Sequence, residues 1–217
     1  MRSVIVVDDF HDDPDAIRDL ALTLPYQKKP GATYPGREAA SDHDWRGVRE
    51  HLRSHIDEPC DEECPKDPPF RQGKFRLALA ADEQERIDRV HVDQQRWSGI
   101  VYLTRPGDCA GGLALYRHRA SGLVTWPGTW LRANVPELFS LPRPEASVRL
   151  LAYCADPENF EQIGLIPMAY NRAILLMAQV LHGTGRAFGN SPEEGRLSQH
   201  FEFYARSKPE PASAPAS

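Results

Sequence analysis

Residues 89–103 read RVHVDQQRWSGIVYL, an apolar, β-prone run that opens with a histidine and an aspartate two places apart. In a strand, residues i and i+2 point to one face and i+1 to the other. His91 and Asp93 are therefore expected to project together while Val92 packs away. Burying such a pair is unfavourable unless something satisfies it, and the carboxylate is the costlier member. A divalent metal satisfies both at once. Two histidines and a carboxylate on one face of the ion, with the other positions open, form the ligand set of non-haem Fe(II).

That set needs a second histidine. His182, in AQVLHGTGRAFG, follows an apolar segment and precedes a glycine-rich turn, as a strand end does when it delivers a ligand into a barrel mouth. It is the strongest candidate. His118, between two arginines in LYRHRASG, is expected to be half-exposed at a strand end; His200 lies further along another strand. Both are rivals. In GRLSQHFEFY, Leu197, Phe201 and Phe203 alternate onto one face with Gln199, and Arg196, Ser198 and His200 onto the other. An inward arginine needs an anion. Its planar fork matches a carboxylate with two parallel hydrogen bonds, and the hydroxyl two residues on adds a donor. A rim salt bridge to Glu193 or Glu194 is the plainer use of Arg196. Tyr102 offers a hydroxyl to the same anion or a ring to the core. Trp97, Arg117, Arg119, Trp126 and Asn171 are weaker pocket candidates, for which packing or surface roles are the better reading.

The elements that must position these groups are legible in outline. SVIVV (3–7) reads as a buried strand. Asp13 is a good N-cap and Pro14 fits the first helical position; Ile17, Leu20, Ala21 and Leu24 then share a face until Pro25. A second amphipathic helix begins after Asp44, with Trp45, Val48, Leu52 and Ile56 on one face. Residues 57–72 read as loop. Short β-like segments follow at 74–80, 89–93, 97–103, 112–117, 161–167, 172–178 and 196–204, separated by turn signals. Residues 130–157 are ambiguous and partly helical in character. The fold class is mainly β with flanking helices, a sandwich or barrel with helices on one sheet. One domain is expected over residues 1–207, with a low-complexity, disordered tail at 208–217.

Composition narrows the partners. The chain has 217 residues, 41% hydrophobic and 26% charged, ordinary values for a soluble domain with a real core. A net charge of -5 argues against nucleic acid or an anionic membrane. No secretory signal and no membrane-length apolar run is visible, so the cytoplasm is the expected location. Cys60 and Cys64 in PCDEECP suggest zinc, with His55 as a third ligand, but no second close pair completes a closed site. Two thiols in a proline-rich loop is the plainer reading. The arginines at 117 and 119 hint at an anionic substrate.

The order His91-x-Asp93, then His182, then Arg196-x-Ser198 resembles the Fe(II)- and 2-oxoglutarate-dependent oxygenases. More closely, the chain is similar to a bacterial family in that superfamily known mostly as an uncharacterised domain, DUF6445. The matching stretches run from VVDDFHDDPDAIRDLAL through HVDQQRWSGIVYLTRP, GGLALYRHRASG and MAYNRAILL to GRLSQHFEFY. At GGLALYRHR, Leu113 stands where a threonine is expected, and residues 121–160 match nothing with an assigned role. The resemblance implies a double-stranded β-helix (jelly roll, cupin-like). His91, Asp93 and His182 would bind Fe(II), and Arg196 with Ser198 would bind 2-oxoglutarate. Tyr102, on the strand after the His-x-Asp pair, is added to these from its position as a further donor to that carboxylate, with a core role the equal alternative. The chemistry implied is decarboxylation of 2-oxoglutarate to succinate and CO2, coupled to hydroxylation of a small-molecule or peptide substrate. The presence of Asp93 disfavours halogenation, because halogenases of this superfamily lack that carboxylate. The alternatives are a non-catalytic jelly-roll module that binds a metal or ligand, and a cupin-like metalloenzyme without a co-substrate. Oligomeric state and substrate identity are not encoded legibly.

Overall fold

A computed structural model describes residues 2–29, 34–61, 70–85 and 89–205. The strands are β1 (Val4–Val7), β2 (Arg37–Ala39), β3 (Cys60–Asp61), β4 (Lys74–Ala78), β5 (Trp97–Tyr102), β6 (Gly112–His118), β7 (Phe160–Pro167), β8 (Ala173–Met177), β9 (His182–Gly183) and β10 (Arg196–Ala205). The helices are α1 (Pro14–Thr23), α2 (Arg46–Ser54), α3 (Gly128–Asn134), α4 (Glu137–Ser140) and α5 (Arg143–Ala155). Every strand pair is antiparallel. The larger sheet runs β1-β8-β5-β10-β4-β2, with β3 on the far end of β10; the smaller runs β7-β6-β9. The fold is mainly β, two antiparallel sheets with a few helices.

Alternation on β10 assigns the two faces of the large sheet. Leu197, Phe201 and Phe203 join Phe75, Trp97, Val101 and Leu175 in one apolar cluster. Ile17, Leu20 and Leu24 of the α1 region and Val48 and Leu52 of α2 cover it. The helix signals work as expected: Asp13 accepts the Ala16 N–H at 3.0 Å, Pro14 opens α1, and Leu24 is already extended before Pro25. At α2, Asp44 accepts from the Arg46 N–H at 3.0 Å. The other face of the sheet puts Tyr102, Ile174 and Leu176 against Leu113, Leu115 and Ile166 of the small sheet. The candidate site lies on this second face.

Two expectations need correction, and one is made definite. Residues 89–93 form no regular strand. His91 bridges His182, while the Val90 N–H goes to the Cys154 carbonyl and the Asp93 N–H to the Ala178 carbonyl. Each of these backbone N–H groups finds a different partner, so no ladder forms. The ambiguous stretch is helical: prolines at 136, 142 and 144 divide it into α3, α4 and α5, inserted between β6 and β7. The loop at 57–72 contains β3. Among the described residues, no helix is long and apolar enough to cross a membrane. The expected tail, and Cys64 with the zinc reading that depends on it, lie outside the described residues.

Candidate metal centre

His91 and His182 sit opposite each other and exchange both backbone hydrogen bonds, at 2.9 and 3.0 Å. That pairing, with β9 held against β6 by the Leu115–His182 register, brings the two imidazoles together, tilted, with ring centroids 4.3 Å apart. Asp93 is anchored separately, through its N–H to Ala178 and its carbonyl to the Gln179 amide. Its carboxylate closes on the pair, with Oδ2 3.7 Å from His182 Nε2. One ligand atom from each of the three residues lies within 4.8 Å of the others.

The protonation pattern suits a cation. His182 Nδ1 donates to the Val180 carbonyl at 2.8 Å, which leaves Nε2 with its lone pair when the ring is neutral. Burial, and then the facing His182, push His91 down to about 4 against the pull of Asp93. That ring is neutral near pH 7, and its Nδ1 is buried without a partner. Burial works to raise the Asp93 carboxyl. The two imidazoles, the Ser98 hydroxyl and the charge of Arg76 outweigh it and hold the group below the usual carboxylate range. Ser98 Oγ donates to Asp93 Oδ2 at 2.7 Å, and Gln95 Nε2 donates to the same oxygen at 3.1 Å. The His91 imidazole, His182 Nε2 and the ionised Asp93 carboxylate, the last two each oriented by a second contact, form a donor set that fits a divalent transition metal.

The triad faces a cavity of about 90 Å³ that also touches Leu113, Arg196 and His200. Arg196 is 7% exposed. Its Nε is buried without a hydrogen-bond partner, and no carboxylate among the described residues pairs with it. The rim salt bridge is therefore absent: Glu194 instead accepts the Asn190 N–H, and the Glu193 backbone carbonyl takes Arg18. Thr104 fixes the start of β10 by donating to the Gly195 carbonyl and accepting the Leu197 N–H. Tyr102 lies beside Arg196, with the guanidinium carbon 5.6 Å from the ring centroid, and its buried hydroxyl has no partner. Burial raises that phenol, and Arg196 partly offsets the rise. Ser198 pairs across the sheet with Tyr102 on one side and Arg76 on the other, and its hydroxyl meets His200 Nε2 at 2.9 Å. Burial, then the charges of Arg76, Lys74 and Arg196, hold His200 well below the ordinary imidazole range.

The structure thus brings His91, Asp93, His182 and Arg196 to one cavity, with Tyr102 and Ser198 beside Arg196. It separates the rest. His118 is not half-exposed but fully buried, between the hydroxyls of Ser121 and Tyr153 at 2.7 and 2.8 Å. Arg117 is an exposed partner of Glu161, and Arg119 donates to the Phe160 carbonyl; neither touches the cavity. Trp97 packs on the helix side, Trp126 against Val90, Phe160 and Leu181, and Asn171 holds the backbone of His11. Leu113, where a threonine is expected, is 1% exposed and adds an apolar wall. Sequence reasoning passed over Ser98, Gln95 and Arg76. The signal for two of them was available: Ser98 alternates onto the face of Ile100 and Tyr102, and Arg76 stands between the core residues Phe75 and Leu77.

The chain belongs to DUF6445, a family of unknown function, whose sequence model matches residues 1–203. No curated protein matches it.

Proposed function

We propose that this family member is a non-haem Fe(II)- and 2-oxoglutarate-dependent oxygenase, which hydroxylates a C–H bond of a small-molecule or peptide substrate. Succinate and CO2 would be the co-products. The observation that carries this reading is a single cavity with His91, Asp93 and His182 on one wall and a buried, anion-less guanidinium on another. A metal alone would account for the first wall. It would not account for Arg196, whose burial without a counter-charge is unfavourable unless an anion arrives. Bound iron would supply O2 activation. His91, Asp93 and His182 would hold it, and Arg196 would receive the distal carboxylate of 2-oxoglutarate, with Ser198 and Tyr102 as additional donors. Leu113 and Ile100 supply an apolar part of the cavity wall, which strengthens charge–charge contacts beside it. The same proposal reads the two facing sheets as a double-stranded β-helix. Their antiparallel pairing and the apolar cluster between them support it.

The test is spectroscopic. Iron-loaded protein kept free of oxygen is expected to develop a visible metal-to-ligand charge-transfer band when 2-oxoglutarate is added. Admitting O2 should then convert 2-oxoglutarate slowly to succinate. Iron-loaded protein that shows no such band overturns the proposal.

A further inference from the structure

An adjoining cavity of about 300 Å³ shares Tyr34, Arg76, His91, Asp93, Thr184 and Glu202 with the metal cavity. Arg76 is placed at the junction with unusual care. Its Nε donates to Glu38 Oε1 at 3.0 Å, and its guanidinium carbon lies 4.0 Å from the centroid of the Tyr34 ring. Those contacts fix the edge and the face of the guanidinium plane. Among the described residues its only hydrogen bond is the one from Nε, so both Nη groups remain available, and the side chain is 25% exposed. Glu38 does not neutralise the region. The same oxygen takes Lys74 Nζ at 2.6 Å, so two cations share one carboxylate. The burial of Glu38 opposes ionisation, but Lys74 and Arg76 hold its carboxyl down to about 2. Lys74, Arg76 and Glu38 together carry one net positive charge, beside Asp93 and Glu202, which also line the junction.

Arg76 and Arg196 are also at different depths. Ser198 pairs with Arg76 and Arg196 pairs with Ala78, so the two arginines lie two residue steps apart along the sheet, roughly 7 Å. In the oxygenase reading, on which this step rests, 2-oxoglutarate occupies the metal and Arg196 and leaves Arg76 unused. We infer that Arg76 is the anchor for an oxyanion of the substrate, a carboxylate or phosphate, that enters through the 300 Å³ cavity. The substrate class is then an anionic small molecule or peptide that presents a C–H bond to the metal from this anchor. The forked donor set of a guanidinium suits either oxyanion, whereas a lysine would act only as a point charge.

The test uses calorimetry on the full chain with Zn(II) in place of iron, so that no turnover is needed. Inorganic phosphate is titrated with and without saturating 2-oxoglutarate, and 2-oxoglutarate is titrated separately. Arg76→Met is expected to weaken phosphate binding roughly tenfold or more and to leave 2-oxoglutarate affinity within about twofold. Arg196→Met should do the reverse. Arg76→Lys keeps the charge and the Glu38 contact, and should weaken phosphate by less than the methionine variant does. The inference is overturned if phosphate does not bind, if Arg76→Met leaves its affinity unchanged, or if Arg76→Met weakens 2-oxoglutarate as strongly as Arg196→Met. Failure of 2-oxoglutarate to bind the unmodified chain would instead sink the oxygenase reading. The phosphate arm without it would still decide the role of Arg76.

Discussion

Two of the places where the protein buries histidines are satisfied differently. His118, behind the small sheet, has a hydroxyl on each ring nitrogen and aromatic neighbours in Trp130 and Phe160. Across the same sheet, His91 leaves Nδ1 without a partner, and His182 spends only Nδ1 on the backbone. The first cluster is closed: every strong donor and acceptor meets another within the chain. The second is open, with a carboxylate among the rings and an unpaired arginine in the same cavity. Buried polar groups without partners are costly, so their concentration in one cavity marks a place completed by something from outside. Burial alone does not separate the two clusters. Satisfaction does.

Breaking the open cluster has the largest expected effect. His182→Ala removes a ligand whose main chain also pairs with His91, and metal affinity should fall by roughly a hundredfold or more. Metal content after dialysis, measured beside circular dichroism to confirm the fold, checks this. Retention of stoichiometric metal by the folded variant would erase the distinction between the clusters.

Acid sharpens the comparison next. His91 is depressed in the folded chain from an ordinary value of 6.5 to about 4, so the unfolded chain binds more protons between those limits. Stability of the metal-free protein should therefore be full above pH 6.5 and decline as pH falls toward 4. The His91 share is at most about 3 kcal/mol. Asp93, held low, adds to the loss further down. Denaturant melts at stepped pH read the slope, and His91→Gln should flatten it. Saturating Zn(II) should instead steepen it and carry it to lower pH, because the metal holds the ligand rings deprotonated in the folded chain alone. A slope indifferent to both changes would contradict the assigned neutral state.

The closed cluster should behave oppositely. His118→Leu leaves the Ser121 and Tyr153 hydroxyls without the nitrogen each now meets, at a cost of about 1–3 kcal/mol. The thermal midpoint should drop while metal affinity stays unchanged. Loss of metal in this variant would mean that the clusters communicate through the small sheet.

Much of this difference was readable, and the rest was hidden for physical reasons. Asp13 and Pro14 announce α1, and the alternation along β10 separates Arg196 and Ser198 from Leu197, Phe201 and Phe203, because caps and pleats are local. The His91–Asp93 segment looked like a strand. The backbone N–H groups of Val90, His91 and Asp93 in fact go to α5, β9 and the end of β8, a choice made by tertiary contacts alone. His118 looked half-exposed because charged residues flank it. It is buried because Trp130 of α3 and Tyr153 of α5 close over it from an insertion whose placement no local pattern encodes. β9, at two residues, is too short to carry a period. Arg76 and Ser98 carried a signal, a polar side chain at an inward alternation point, that has meaning only once the facing sheet is known.

Ser98 offers the finest adjustment of the comparison. Its hydroxyl supports Asp93 Oδ2 at 2.7 Å, while Gln95 reaches both that oxygen and Ser98 itself. Ser98→Ala keeps all three ligands but removes one of the two donors that orient the carboxylate. Supporting groups of this kind typically contribute ten- to a hundredfold to metal affinity, and with Gln95 still in place the lower end, about tenfold, is expected. Competition with a chromogenic chelator measures it, and Ser98→Thr, which restores a hydroxyl, should recover most of the loss. If the alanine variant binds metal as tightly as the unmodified chain, Asp93 is held by its backbone contacts alone. The open cluster would then be rigid without the hydroxyl, as His118 would not be without Ser121 and Tyr153.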